Sequence, residues 1–220
     1  VRRQVGLLDA LPERDGLPPL ADAPQGVAGG GLAQADGDGV GGVGRARAAD
    51  EVVGGLLDVA EDLGLPASTR YMCFMRHPVT RTISHYYHLR NVDKGPVGDK
   101  IRASEDINDF FENSNHWEFS NFMVKIISGV GAKKPEEGVD AYQLAIENIE
   151  QHFDFIGFQE YFPLSLKKLS KTIERTIESE KDINVGRYRI EEVSDHTLEK
   201  IFTINKNDIR LYKFALRKFL

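Results

Sequence analysis

The sequence predicts an α/β domain, a small parallel sheet flanked by helices, and three observations carry that expectation. Two short apolar runs, "RYMCFM" and "FDFIGFQEY", are too brief for helices and rich in aromatic residues, as strands are. Each is closely followed by a proline and then by a helical pattern, and strands alternating with helices pack as a parallel sheet covered by helices. Both runs lie after residue 66, where the composition changes abruptly.

Residues 1–66 lack eleven residue types, among them Lys, Ser, Thr, His and every aromatic, yet hold 14 of the 21 glycines. They carry 5 basic and 11 acidic groups against 23 of each in residues 67–220, so the net charge of −6 belongs to this segment alone. With no bulky side chain to bury and a glycine-rich backbone that is entropically unfavourable to order, disorder is the expectation here. Only "EVVGGLLDVAEDLGL" has a helical stripe, and its paired glycines weaken it. A low-complexity leader and a mistranslated frame joined to a gene fragment both account for the segment. The abrupt break and a first residue that is Val favour the second reading. Fold reasoning therefore starts at residue 67.

The first strand is "RYMCFM", and Pro78 then opens a helix to about Arg90. "NVDKGPVGDKIRASED" reads as a polar loop. In "INDFFENSNHWEFSNFMVKIISG", Ile107, Phe110 and Phe111, then Phe119, Phe122, Met123, Ile126 and Ile127 recur at helical spacing, with Gly129 as C-cap. After the loop "GVGAKKPEEGVD", Asp140 caps an amphipathic helix, "DAYQLAIENIEQHF", that delivers the chain to the second strand, ending near Glu160. "PLSLKKLSKTIERTI" gives a further helix with Leu164, Leu166, Leu169 and Ile173 on its apolar side. Ser194 and Asn205 each precede a helical pattern, and the last helix turns Ile209, Tyr212, Phe214, Ala215 and Leu216 inward.

Several function classes are excluded by what is missing. The single cysteine, Cys73, permits no intramolecular disulfide and sits in an apolar run as a small buried hydrophobe. No apolar run is long enough to span a membrane, and no signal peptide is evident. The His residues are scattered apart from His85 and His88, which argues against a metal centre. The neutral balance of residues 67–220 gives no sign of a nucleic-acid partner or of a strongly basic cleft. A kinase-like protein would need a Gly-rich Lys-Ser/Thr loop, which the sequence lacks.

The chemistry concentrates in "YMCFMRHPVTRTISHYYHLRN". In parallel α/β sheets ligands sit beyond the carboxyl ends of strands, and Arg76 falls there. The free amides at the start of the Pro78 helix favour an anion at the same place. Ser84 follows two turns on, and Arg81, Ser84, His85 and His88 share one helical face by their spacing. An arginine, a helix N-terminus and a hydroxyl are the ingredients of a phosphate site. The same corner also occurs as a plain connection, Arg81 also suits a solvated ion pair, and His85 and His88 suit structural roles. Trp117, beside His116 and Glu118, fits a buried anchor better than a sugar-stacking surface.

"FMRHPVTRTISHYYHL" resembles the 3′-phosphate-binding motif of sulfotransferases that use 3′-phosphoadenosine 5′-phosphosulfate, specifically the carbohydrate-type group similar to heparan sulfate 2-O-sulfotransferase and its bacterial relatives. That pattern reads roughly Leu-Arg-Asp-Pro-x-x-Arg-x-x-Ser-x-Tyr, matched by Arg76, Pro78, Arg81, Ser84 and Tyr86, while His77 stands where the family has Asp. "NIEQHFDFIGFQEYFPLSL", "NVGRYR" and "INKNDIRLYKFA" resemble later blocks in the same order, so the likeness covers about residues 65–220. The resemblance implies a P-loop-like parallel sheet and transfer of a sulfuryl group from that co-substrate to a carbohydrate or glycan hydroxyl. It implies that Arg76 and Ser84, with Arg81, bind the 3′-phosphate, and that Arg187 and Arg189 lie in a loop closing over the nucleotide. It further implies a soluble cytoplasmic protein if bacterial and a Golgi-lumenal one if eukaryotic.

Family members also begin with a strand, a Pro-Lys-x-Gly-Thr-Thr type loop and a helix, which hold the 5′-phosphosulfate and stabilise charge on the leaving phosphate. No Lys and no Thr precede Thr69, and no His precedes His77, so that strand-loop-helix and the catalytic base have no counterpart; Glu61 lies in foreign-looking sequence. The chain therefore reads as the C-terminal part of a sulfotransferase domain, truncated and impaired, with a non-catalytic nucleotide- or glycan-binding remnant as the alternative.

Overall fold

A computed structural model describes residues 64–66, 68–131, 138–177 and 190–220. The described chain is α/β and mostly helical, with a small two-stranded parallel sheet flanked by helices. Strand β1, Tyr71–Met75, leads into helix α1, Pro78–Val92. Three short helices follow, α2 Pro96–Ala103, α3 Ile107–Asn113 and α4 Phe122–Ser128, with a 3-10 turn Trp117–Phe119 before α4. Helix α5, Ala141–His152, delivers strand β2, Phe153–Phe158, and a 3-10 turn Gln159–Tyr161 leads into α6, Phe162–Thr172. Helices α7, Asp195–Ile204, and α8, Lys206–Phe219, complete the described chain.

The strands pair in parallel, Cys73 opposite Ile156 and Met75 opposite Phe158, so both carboxyl ends lie on one edge of the sheet. Two apolar clusters hold the elements together. One joins β1 and β2 to α4, α5 and α8 through Met75, Ile149, Ile156, Phe158 and Tyr212. The other lies under α1, where Val79, Ile83 and Tyr86 meet Ile101, Phe110, Phe111, Phe119 and Ile201. β1 divides its residues unequally: Met75 is 3% exposed, whereas Met72 and Phe74 are 53% and 43% exposed, so one face of β1 stays open.

Three sequence expectations change. The polar stretch after Val92 contains α2, because Asp93 accepts the N–H groups of Gly95 and Gly98 and turns the chain onto Pro96 at the first helical position. The helical spacing of residues 107–129 is split into α3, the 3-10 turn and α4, since Asn121 adopts a left-handed conformation with φ of 47° that no continuous helix admits. Gly129 does end α4 in the left-handed region, and Asp140 and Ser194 cap α5 and α7 with their side chains. On α6, Leu164, Leu166, Leu169 and Ile173 are half-buried and Ser165 is the buried residue, its hydroxyl accepting from the Phe158 N–H at 2.8 Å. Phe214 is half-buried and packs against the first cluster.

Asn205 does not cap α8 with its side chain. Its amide instead donates to the carbonyls of Phe119 and Ile201, both at 2.9 Å. Helices α4 and α8 exchange caps: Asn121 Oδ1 accepts from the N–H groups of Asn207 and Asp208 in the first turn of α8. The Asp208 carboxylate accepts from Met123 and Val124 in the first turn of α4, at 3.0 and 2.8 Å. Among the described residues no helix is long and apolar enough to cross a membrane.

Candidate functional site

The corner between β1 and α1 is built by its neighbours. Met75 is locked in the core, Arg76 is half-buried at the carboxyl end of the strand, and His77 follows as the N-cap of α1. Glu160, just beyond the equivalent end of β2, clamps the corner with both oxygens: Oε1 accepts from the His77 main-chain N–H at 2.8 Å and Oε2 from the Tyr212 hydroxyl at 2.9 Å. One carboxylate therefore ties β1, β2 and α8 together at the edge where α1 begins. Sequence reading placed Glu160 only as the end of a strand, and no local pattern marks its partners.

His77 packs its ring edge-on against Tyr212, with centroids 5.5 Å apart. Burial, reinforced by the nearby Lys213 ammonium, pushes its pKa down to about 4, so the imidazole is neutral at pH 7. The Thr80 hydroxyl donates to the His77 carbonyl at 3.0 Å, and the Arg81 N–H donates to the same oxygen at 2.8 Å.

The helical face expected to gather Arg81, Ser84, His85 and His88 is divided. Arg81 Nη1 donates to the Glu118 carbonyl at 2.7 Å, and its guanidinium lies 3.9 Å from the centre of the Phe122 ring. Burial pulls its pKa down to about 10, opposed by Asp208 and Glu118, and it stays charged. His85 Nε2 meets Glu118 Oε2 at 2.8 Å. Burial lowers the His85 pKa despite that carboxylate, and the bond to His85 lowers the pKa of Glu118, so a neutral imidazole donates to an ionised carboxylate. Ser84 is half-buried and His88 is exposed.

Trp117 stacks on Phe122 at 5.8 Å and Phe122 carries Arg81, but the tryptophan is half-buried where a buried anchor was expected. Cys73 is half-buried against the first cluster where a buried position was expected, and burial raises its thiol to about 12, which leaves no reactive thiolate. Arg187 and Arg189 lie outside the described residues. No cluster of His, Cys, Asp and Glu among the described residues could hold a metal ion.

The arrangement offers an anion a half-buried arginine, a helix N-terminus, and a serine further along the same helix. Ser84 lies six residues beyond Pro78, roughly 9 Å along the axis, within the span of one nucleotide. No family model matches the sequence, and no curated protein is significantly similar to it.

Proposed function

We propose that residues 67–220 are the C-terminal part of a sulfotransferase domain with a P-loop-like sheet. The reaction is transfer of a sulfuryl group from 3′-phosphoadenosine 5′-phosphosulfate to a carbohydrate hydroxyl. The observation that carries this reading is the corner itself: Arg76 stands where a parallel strand ends and a fifteen-residue helix begins, with Ser84 on that helix.

In this reading Arg76 reaches from the corner and Ser84 from the flank of α1 to hold the 3′-phosphate. Arg81 adds its charge from the same helix, and Arg187 and Arg189 cover the nucleotide. Each charge-assisted hydrogen bond contributes on the order of 1.5–3 kcal/mol to binding. Transfer itself needs an acceptor hydroxyl held in line with sulfur and a base to take its proton.

A second reading, binding without catalysis, is favoured by one observation. Around the corner Glu160 has both oxygens bonded, Glu118 is bonded to His85, and His77 is buried. None of these is a base open to an acceptor.

Isothermal titration with 3′-phosphoadenosine 5′-phosphate tests the site. Binding that disappears in the Arg76→Ala, Ser84→Ala double variant is expected, and a double variant with unchanged affinity refutes the assignment. Turnover of the phosphosulfate in the presence of a glycan acceptor separates transferase from binder.

A further inference from the structure

Trp117, His116 and His85 are three half-buried rings gathered around Phe119 and Phe122. The indole of Trp117 stacks on Phe122 with 28° between the planes, and the His116 ring stands 6.3 Å from it. His85 reaches the same ground from α1, with its ring 6.4 Å from Phe122 and 5.3 Å from Phe119. The polar atoms of these rings are fixed by the bonds they already make. His85 Nε2 donates to the Glu118 carboxylate, so its Nδ1 carries a lone pair. His116 Nδ1 accepts from the Glu118 main-chain N–H, so its Nε2 carries the proton, and the indole N–H of Trp117 is a donor only. Among the described residues none of these three outward atoms has a hydrogen-bond partner, and none is sealed from solvent, since the enclosed polar side-chain atoms without a partner there are His77 Nδ1 and Ser114 Oγ. The nearby charges are committed elsewhere: Glu118 to His85, Arg81 to the Glu118 carbonyl and the Phe122 ring, and Lys125 to the Trp117 carbonyl at 3.1 Å.

We propose that this surface is a carbohydrate-binding site, in which a sugar ring lies against Trp117 and its hydroxyls bond to His85 Nδ1, His116 Nε2 and the indole N–H. A tryptophan serving only as an anchor would be covered, whereas this one keeps part of its indole open beyond the stack on Phe122. Two donors and one acceptor, all neutral, suit hydroxyl groups, which donate and accept alike, and the aromatic surface suits the apolar C–H face of a sugar. Glu118 is a positioning residue here. By holding the proton of His85 on Nε2, it keeps Nδ1 as the acceptor. The inference rests on the carbohydrate-transfer reading in one respect, that the sugar bound here is the acceptor of that reaction. His85 directly follows Ser84 on α1, so the sugar and nucleotide positions would adjoin along one helix.

The test is a titration of the full chain with cellobiose, lactose, maltose and mannobiose, followed by the fluorescence of Trp117, the single tryptophan, and by the ring-nitrogen signals of His85 and His116. At least one disaccharide is expected to move both readouts and to saturate them with one dissociation constant. Trp117→Ala, followed through the histidine signals, should weaken that binding roughly tenfold or more, and Trp117→Tyr, which keeps a ring, should weaken it less. His85→Phe keeps the packing on Phe119 and removes the acceptor, and it should weaken binding several-fold with Trp117 still reporting. A wild-type chain whose signals ignore all four sugars overturns the proposal, as does wild-type affinity in both Trp117→Ala and His85→Phe. A change in Trp117 fluorescence with 3′-phosphoadenosine 5′-phosphate but with no sugar overturns it too, by assigning the indole to the nucleobase. Sugar binding in a chain that ignores the nucleotide supports the site and refutes the nucleotide reading alone.

Discussion

Replacing His77 by glutamine should change how the stability of the fold responds to acid. The imidazole titrates near 6.5 when unfolded and is pushed down to about 4 in the fold, where it is 5% exposed beside Tyr212 and Lys213. Between those values the unfolded chain binds a proton that the folded chain refuses, so stability falls as pH drops from about 6.5 to 4. The shift corresponds to about 3 kcal/mol at 1.36 kcal/mol per unit. Asp208 acts in the opposite sense. Burial raises its pKa from 3.8 to about 6 in spite of two main-chain donors, so the folded chain takes up a proton first and stability rises as pH drops through that window. The two contributions oppose each other between about pH 4 and 6, while the lowered His85 pKa acts in the same sense as that of His77, so the wild type should still lose stability on acidification. Urea unfolding at pH 7, 6, 5 and 4.5, followed by the fluorescence of the single tryptophan, Trp117, reads the difference between wild type and His77→Gln. That difference should shift steadily in favour of the variant on acidification, approaching about 3 kcal/mol near pH 4. A difference independent of pH would show that His77 titrates alike in both states and would refute the argument.

Three further substitutions address the fold. A methyl group at Gly98 would collide with the Asp93 carbonyl, whereas one at Gly157 would meet only the ring of the half-exposed Phe74. Gly98→Ala should therefore cost about 3 kcal/mol and Gly157→Ala about 1 kcal/mol in urea unfolding. Asp208→Ala strands the amides of Met123 and Val124 and should cost about 2–4 kcal/mol, with hydrogen exchange accelerating first at those two amides.

The parts of this fold legible in the sequence are those that local chemistry decides. The two apolar runs are strands, Pro78 starts α1, Asp140 and Ser194 are caps, and Gly129 is a stop. Helix α2 was hidden because its start depends on Asp93 bonding to Gly95 and Gly98, which a loop-like composition does not reveal. The break at Asn121 was hidden for a different reason. Helical spacing continues through it, and only a partner in α8 explains why the chain turns. At the candidate site the positions of Arg76 and Ser84 followed from spacing along one strand and one helix. The commitment of Arg81 and His85 to Glu118, and of Glu160 to His77 and Tyr212, joins residues more than thirty positions apart, and spacing carries no record of such pairs.

The exchanged caps of α4 and α8 set an order of events during synthesis. Val124 and the carboxylate that completes its helix are 84 residues apart, and at roughly 5–20 residues per second that interval is on the order of 4–17 s. Throughout it α4 has left the peptidyl-transferase centre without its cap, and Met123, Val124 and Ile127 have no α8 to cover them. The nascent chain therefore presents a sticky, half-finished surface until α8 is made, and a ribosome that stalls before residue 206 exposes that surface to chaperones and proteases.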